Sequence, residues 1–147
     1  MKTIHLTLAA LMLAIGVCSA NAGESAATRA LLQRHLSAFL DNDLEAVLSD
    51  YTDESMLVTA DATYTGRQAI RGFFAKLVPL FPKEKSRLDL DRMVIHDDMA
   101  FIVWHATTPA VKVTLGTDTF VLKDGKIHRQ TFVGQMQQQA SVADAAR

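Results

Sequence analysis

The order of the sequence patterns predicts an α+β domain. Two observations carry this. Apolar residues at helical spacing are confined to the first half of the chain, over 25–50 and 67–77. From Ser86 onward the pattern changes to alternation, cut by turn signals at His96-Asp97-Asp98, Thr107-Thr108-Pro109 and Lys123-Asp124-Gly125. Helices first and a meander after them place three helices on one face of a curved antiparallel sheet.

The chain starts with a pattern that is not part of this fold. Lys2, the apolar run Leu6 to Val17 and the small-x-small triplet Ala20-Asn21-Ala22 form a secretory signal, so residues 1–22 are expected to be removed on export to a periplasm or beyond the cell. Cys18, the only cysteine, falls inside it, preceded by Val17 where a lipid-modified cysteine wants a small residue. The mature chain then has no thiol chemistry or disulfide, and its core must hold it. About 125 residues suffice for one core. Loss of Lys2 moves the formal charge from 15 − 16 = −1 to 14 − 16 = −2, with no basic stripe to suit a nucleic acid. After residue 22 no apolar run is long enough to span a membrane. The domain is expected over 23–136, with a disordered tail over 137–147 that begins at Gln137-Gln138-Gln139.

Ser25 to Leu40 is predicted as the first helix, with Ser25 as N-cap and Leu31, Leu32, Leu36, Phe39 and Leu40 as its stripe. Asn42 with Glu45 three residues on predicts a second start and a short helix to Asp50. Glu54 to Thr59 predicts a strand, and Ala60 to Thr65 a turn with a short strand. Arg67 to Leu77 predicts the third helix, stopped by Pro79 and Pro82. Strands follow over 86–95, 99–106, 111–122 and 126–136.

Three blocks in this order, "NDLEAVLSDYTDESMLV", "YTGRQAIRGFF" and "TDTFVLKDGKI", resemble the SnoaL-like branch of the nuclear-transport-factor-2-like superfamily, over roughly residues 30–135. The resemblance implies a cone in which a bent sheet wraps a pocket closed by the first and third helices. It also implies a homodimer through the outer sheet face. Ketosteroid isomerase, polyketide cyclases, dehydratases, epoxide hydrolases and non-catalytic members share this fold, so the resemblance does not fix an activity. Against the isomerase pattern, the late-strand aspartate of the oxyanion hole falls on Asp118 and the helix tyrosine on His35. The base falls on Thr59, which cannot act as one, with Asp61 two residues on. A supporting tyrosine becomes Phe74, and Tyr51 keeps a tyrosine.

The residues themselves raise the same candidates. Asp118 shares a strand face with Phe120 and Leu122, and an acid there is costly unless paired or protonated. It points into a pocket, or else that face meets solvent or a subunit. His35 lies within the first helix's apolar stripe and needs a partner, Asp118 or Tyr51; the ordinary alternative is a core histidine. Trp104 and His105 face opposite sides of their strand, and Trp104 is the better pocket wall. If the phase is reversed, His105 is the alternative partner of Asp118. Gln130, Phe132 and His128 share a face that completes the cavity. Asp61 is a third catalytic candidate, with a turn residue as the ordinary alternative. His96-Asp97-Asp98 is not expected to bind a metal, because consecutive hairpin residues cannot converge on an ion. The expected function is binding of a small apolar or polyketide-like molecule, with cofactor-free acid/base chemistry at Asp118, His35 and Asp61. Tyr51, Phe74, Trp104, Phe120, Gln130 and Phe132 would contact the ligand. The competing expectation is a non-catalytic dimeric binding or scaffold module with a filled cone; pocket volume separates the two.

Overall fold

The computed structural model describes the backbone of residues 15–139 and the side chains of residues 23–139. Most of the expected leader, residues 1–14, and tail residues 140–147 lie outside the described residues. Three helices pack on a curved, unclosed sheet of six strands, as the sequence predicts. The helices are α1 (Ile15–Leu40), α2 (Leu44–Ser49) and α3 (Arg67–Leu77). The strands are β1 (Tyr51–Thr59), β2 (Thr63–Thr65), β3 (Arg87–His96), β4 (Met99–Thr107), β5 (Val111–Lys123) and β6 (Lys126–Gln138), in the spatial order β2-β1-β6-β5-β4-β3.

The expected all-antiparallel sheet needs one correction. The meander β3 to β6 is antiparallel, but β1 joins its β6 edge in parallel, with Leu57 opposite Gln130 and Thr59 opposite Phe132. Parallel neighbours need a long connection, and α3 with the following meander supplies it. This pairing carries the α2–β1 junction to the bottom of the cone, where Ile127 N–H donates to Asp50 O at 2.8 Å.

Element boundaries differ from the expectation, and β1 begins at Tyr51, three residues ahead of the expected Glu54. Helix α1 begins ahead of Ser25, so Ser25 is no N-cap. Its Oγ instead accepts from Asp97 N–H at 3.0 Å, and Thr28 Oγ1 donates to Asp97 O at 2.7 Å, which ties α1 to the β3–β4 hairpin. Asp43, not Asn42, caps α2 by accepting from Ala46 N–H at 2.9 Å. Asn42 sits at φ 57°, a left-handed position that asparagine tolerates at a helix end, and its amide holds Phe81 O and Lys83 N–H at 2.7 Å each. The strand β6 extends through Gln138, two residues into the expected tail, because Gln137 and Gln138 pair with Lys112 and Val111.

The core lies between the helices and the concave face. Leu31, Leu32 and Phe39 of α1, Ile70 and Phe74 of α3, and Ile102, Trp104, Phe120 and Ile127 of the sheet are buried in one cluster. No helix among the described residues is long and apolar enough to cross a membrane.

Candidate functional site

The concave face holds a cavity of about 40 Å³ lined by His35, Leu36 and Phe39 of α1, Phe73, Phe74 and Leu77 of α3, and Leu88, Trp104, Asp118, Phe120, Gln130 and Phe132 of the sheet. Leu36, Phe73, Leu77, Leu88 and Phe132 are half-buried and form its mouth; His35, Asp118 and Gln130 are buried and form its polar wall. Strand alternation puts them there: Gly116, Asp118, Phe120 and Leu122 all point inward.

Asp118 faces the cavity and is 7% exposed. Oδ2 accepts from Trp104 Nε1–H at 2.8 Å and Oδ1 from the Gln130 amide at 2.9 Å. Burial pushes its pKa up to about 6, against the pull of those two donors and of His35. Trp104 therefore takes the inward phase. His105 lies on the outer face, with Nδ1 2.9 Å from both Asp91 carboxylate oxygens, and does not partner Asp118.

Trp104 fits because position 116 is glycine. A Cβ there would come within 2.6 Å of Trp104 Cδ2, so the indole occupies the space a side chain would fill. Gly116→Ala is expected to push Trp104 off Phe132, with which it stacks at 6.2 Å, and off Asp118. The cost should be about 1–3 kcal/mol, as for other overpacked cores. Trp104 is the only tryptophan, so its emission, read along a urea unfolding curve, checks both effects. An unshifted spectrum with unchanged stability would refute this account of the glycine.

His35 is buried, as its stripe predicts, but its nearest partner is one the sequence analysis missed. Nδ1 lies 3.0 Å from Asp50 Oδ2, and Nε2 lies 3.4 Å from Tyr51 Oη. There is no direct bond to Asp118. Asp50, fully buried at the α2–β1 junction, accepts from Arg34 through Oδ1, with Arg34 Nε at 3.1 Å. Burial raises the Asp50 pKa, but the bonds from His35 and Arg34 outweigh it and leave the carboxyl below its ordinary value. One signal for Asp50 was present in the sequence. A carboxylate at the C-terminal end of a helix opposes the helix dipole, so it needs cationic partners elsewhere. Arg34 supplies the cation, and His35, its neighbour on α1, supplies a ring nitrogen within hydrogen-bond distance.

Three other candidates need correction. Tyr51 is buried behind the cavity wall, where its hydroxyl donates to Gln130 Oε1; it bridges polar groups and does not line the space. Burial raises its pKa further above the phenol range, and the charges of Asp118 and Asp50 add to this. Asp61 is exposed in the β1–β2 turn, where its N–H donates to Thr59 Oγ1 at 3.3 Å; a short turn carries it away from the cavity. His128 leaves the shared face because register shifts in β1 and β5 place an irregularity between Ile127 and Gln130. It lines a separate shallow groove with Thr52 and Lys126. Phe74, Trp104, Phe120, Gln130 and Phe132 line the cavity as expected.

Comparison with known proteins agrees with the fold. The SnoaL-like domain model matches residues 32–130. The chain belongs to the SnoaL-like domain family. Its fold is shared with an NTF2-like protein of unknown function from Mesorhizobium loti, 20% identical over 76% of this chain and 93% of that one, with a TM-score of 0.64. It is shared equally with the epoxide hydrolase/cyclase-like enzyme SalBIII of pyran ring formation in the polyether salinomycin, 15% identical over 76% and 95%, TM-score 0.64. An NTF2-like protein of unknown function from Burkholderia xenovorans is 13% identical over 84% and 94%, again at 0.64. No curated protein matches the sequence. At these identities the SnoaL-like likenesses establish fold, and the chemistry must be argued from the site.

Proposed function

We propose that this SnoaL-like protein is a cofactor-free acid/base catalyst acting on a small apolar molecule, of the isomerase, cyclase or dehydratase type. One observation carries it. Asp118 is a buried carboxyl at the wall of an otherwise apolar cavity, with its pKa raised to about 6. A filled structural cone gains nothing from such a group, which weakens the fold near neutral pH; perturbed acids of this kind cluster at functional sites. Asp50 and Asp118 are two carboxyls driven in opposite directions, the arrangement that separates a proton donor from a permanent counter-charge. Asp118 would exchange a proton with the ligand, and His35, oriented by ionised Asp50, would exchange the second. Phe74, Phe120, Trp104 and Phe132 would hold an apolar ring system. The early apolar run of the sequence supports export. The outer sheet face, with Val133, Leu115 and Met99 at 53%, 41% and 37% exposure, supports a second copy as its cover.

The cavity volume favours a second reading. About 40 Å³ is well short of the roughly 300 Å³ where small-molecule sites begin. A ligand must therefore displace the half-buried mouth residues, or else the cone is filled and the domain is a scaffold. Titration of Trp104 fluorescence with 2-naphthol and with a flat polycyclic ketone separates the two. Saturable change that is abolished in Leu36→Phe, which plugs the mouth without adding a second tryptophan, supports the catalytic reading. No response to either probe at millimolar concentration, together with no response in the opened variant Leu88→Ala, would leave the filled cone.

A further inference from the structure

The polar residues of the wall form one unbroken line. Asp50 accepts from His35 Nδ1; His35 Nε2 meets Tyr51 Oη; Tyr51 donates to Gln130 Oε1; the Gln130 amide nitrogen donates to Asp118; and Trp104 donates to Asp118 from the far side. No buried side-chain nitrogen or oxygen among the described residues lacks a partner. The senses of the links are tied to one another, because a tyrosine has one proton and a glutamine amide has a donor side and an acceptor side.

That constraint allows two arrangements. In the first, the amide donates to ionised Asp118, Tyr51 donates to the amide oxygen, and His35 must carry a proton on Nε2 to donate to Tyr51. His35 is then a cation, and Arg34 and His35 balance Asp50 and Asp118. In the second, the amide is turned end for end. Its nitrogen donates to Tyr51, Tyr51 donates to neutral His35 Nε2, and its oxygen accepts from protonated Asp118. Mixed states leave two acceptors face to face or a buried lone pair unmet, which costs about 1–3 kcal/mol each.

We propose that Gln130 is a two-position coupler through which His35 and Asp118 hold one proton between them, His35 carrying it when Asp118 is ionised and Asp118 when His35 is neutral. Protons enter and leave through the cavity, which both ends line. A ligand that gives a proton to Asp118 receives one from His35 Nε2 as the long bond from Nε2 to Tyr51 breaks, so proton removal and delivery are coupled. Water or a second stroke in reverse resets the line. The groups that face it are Arg34 and Asp50 beyond His35, and Trp104 beyond Asp118; the nearby rings of Phe74 and Phe120 carry no charge. Gln130 and Tyr51 are positioning residues in this scheme.

The proposal rests on the acid/base reading of the cavity, but it is tested without ligand, so a failed ligand search and a failed coupling are distinct results. The probe is the pair of His35 ring ¹⁵N signals, assigned by their loss in His35→Gln. Asp118→Asn presents a donor to the amide oxygen and locks the second arrangement. At pH 7 it is expected to convert His35 from the doubly protonated ring to the neutral Nδ1–H form. In a Gln130→Met background the same substitution is expected to move the His35 titration midpoint by less than half as much, because only charge across space remains. Tyr51→Phe cuts the line at another link and should give the same loss of coupling if Gln130→Met does not fold. An equal response with and without the line would overturn the proposal. So would a neutral His35 beside an ionised Asp118 in the unsubstituted protein at pH 7.

Discussion

Asp118→Asn is expected to make the protein more stable at pH 8, by up to about 3 kcal/mol. The sign follows from the raised pKa. Unfolded, the carboxyl loses its proton near 3.8; folded, it keeps it until about 6. Between these limits the native state binds the extra proton, so stability falls as pH rises from about 4 to 6 and then levels off. At about 1.4 kcal/mol for each unit of pKa, the accumulated loss is near 3 kcal/mol. Asparagine cannot ionise and escapes it, while its amide can still serve Trp104 and Gln130. Urea midpoints at pH 4 and pH 8 check this. The two proteins should differ little at pH 4, and the variant should lead at pH 8. A variant that is weaker at pH 8 by more than about 1 kcal/mol would mean that the bonds from Trp104 and Gln130 outweigh burial.

Asp50→Ala should have the opposite consequence, a loss of about 3–5 kcal/mol at pH 7, the usual result of removing one partner from a buried ion pair. His35 would be left with an unmet Nδ1–H among Tyr51, Phe74 and Phe120. Its pH dependence also runs the other way. The Asp50 pKa is lowered on folding, so its contribution is present above the unfolded value of 3.8 and is lost as pH falls through the folded value. Arg34→Ala is the control. The Arg34 side chain is 56% exposed and returns to water easily, so its loss should cost about 1 kcal/mol or less. Equal losses in Asp50→Ala and Arg34→Ala would show that Asp50 serves the surface pair and not His35.

The site was partly legible in the sequence because one rule suffices for some of its members. Asp118 shares a strand face with Phe120, and period two keeps the two together, so the core that takes the ring takes the acid as well. His35 stands in a helical stripe, and period 3.6 does the same. Trp104 against His105 is a choice of phase; the indole favours the inward one, and its bond to Asp118 decides it. Asp50 was not legible in this way. It lies at the seam between α2 and β1, where neither period applies, and its role depends on which face of α1 passes over it. Tyr51 belongs to the wall, because Gln130 and His35 hold its hydroxyl, and strand alternation alone does not state those partners. Asp61 was carried toward the site by alignment to a relative's pattern, and a short turn takes it out to solvent.

The sequence by itself determined the elements, their order and the family, because helical and alternating periods and turn residues act over a few neighbours. It also placed an acid on a strand face with large apolar side chains and a histidine within a helix's apolar stripe. The tertiary structure decided the parallel seating of β1 on β6, the partner of each buried polar group and the small volume of the cavity. The physical reason is range. Periodicity states which face of an element is apolar, but the hydrogen bonds of this site join groups 12 to 79 residues apart. Only the packing of α1 against the sheet brings Asp50, His35, Tyr51, Gln130 and Asp118 onto one line.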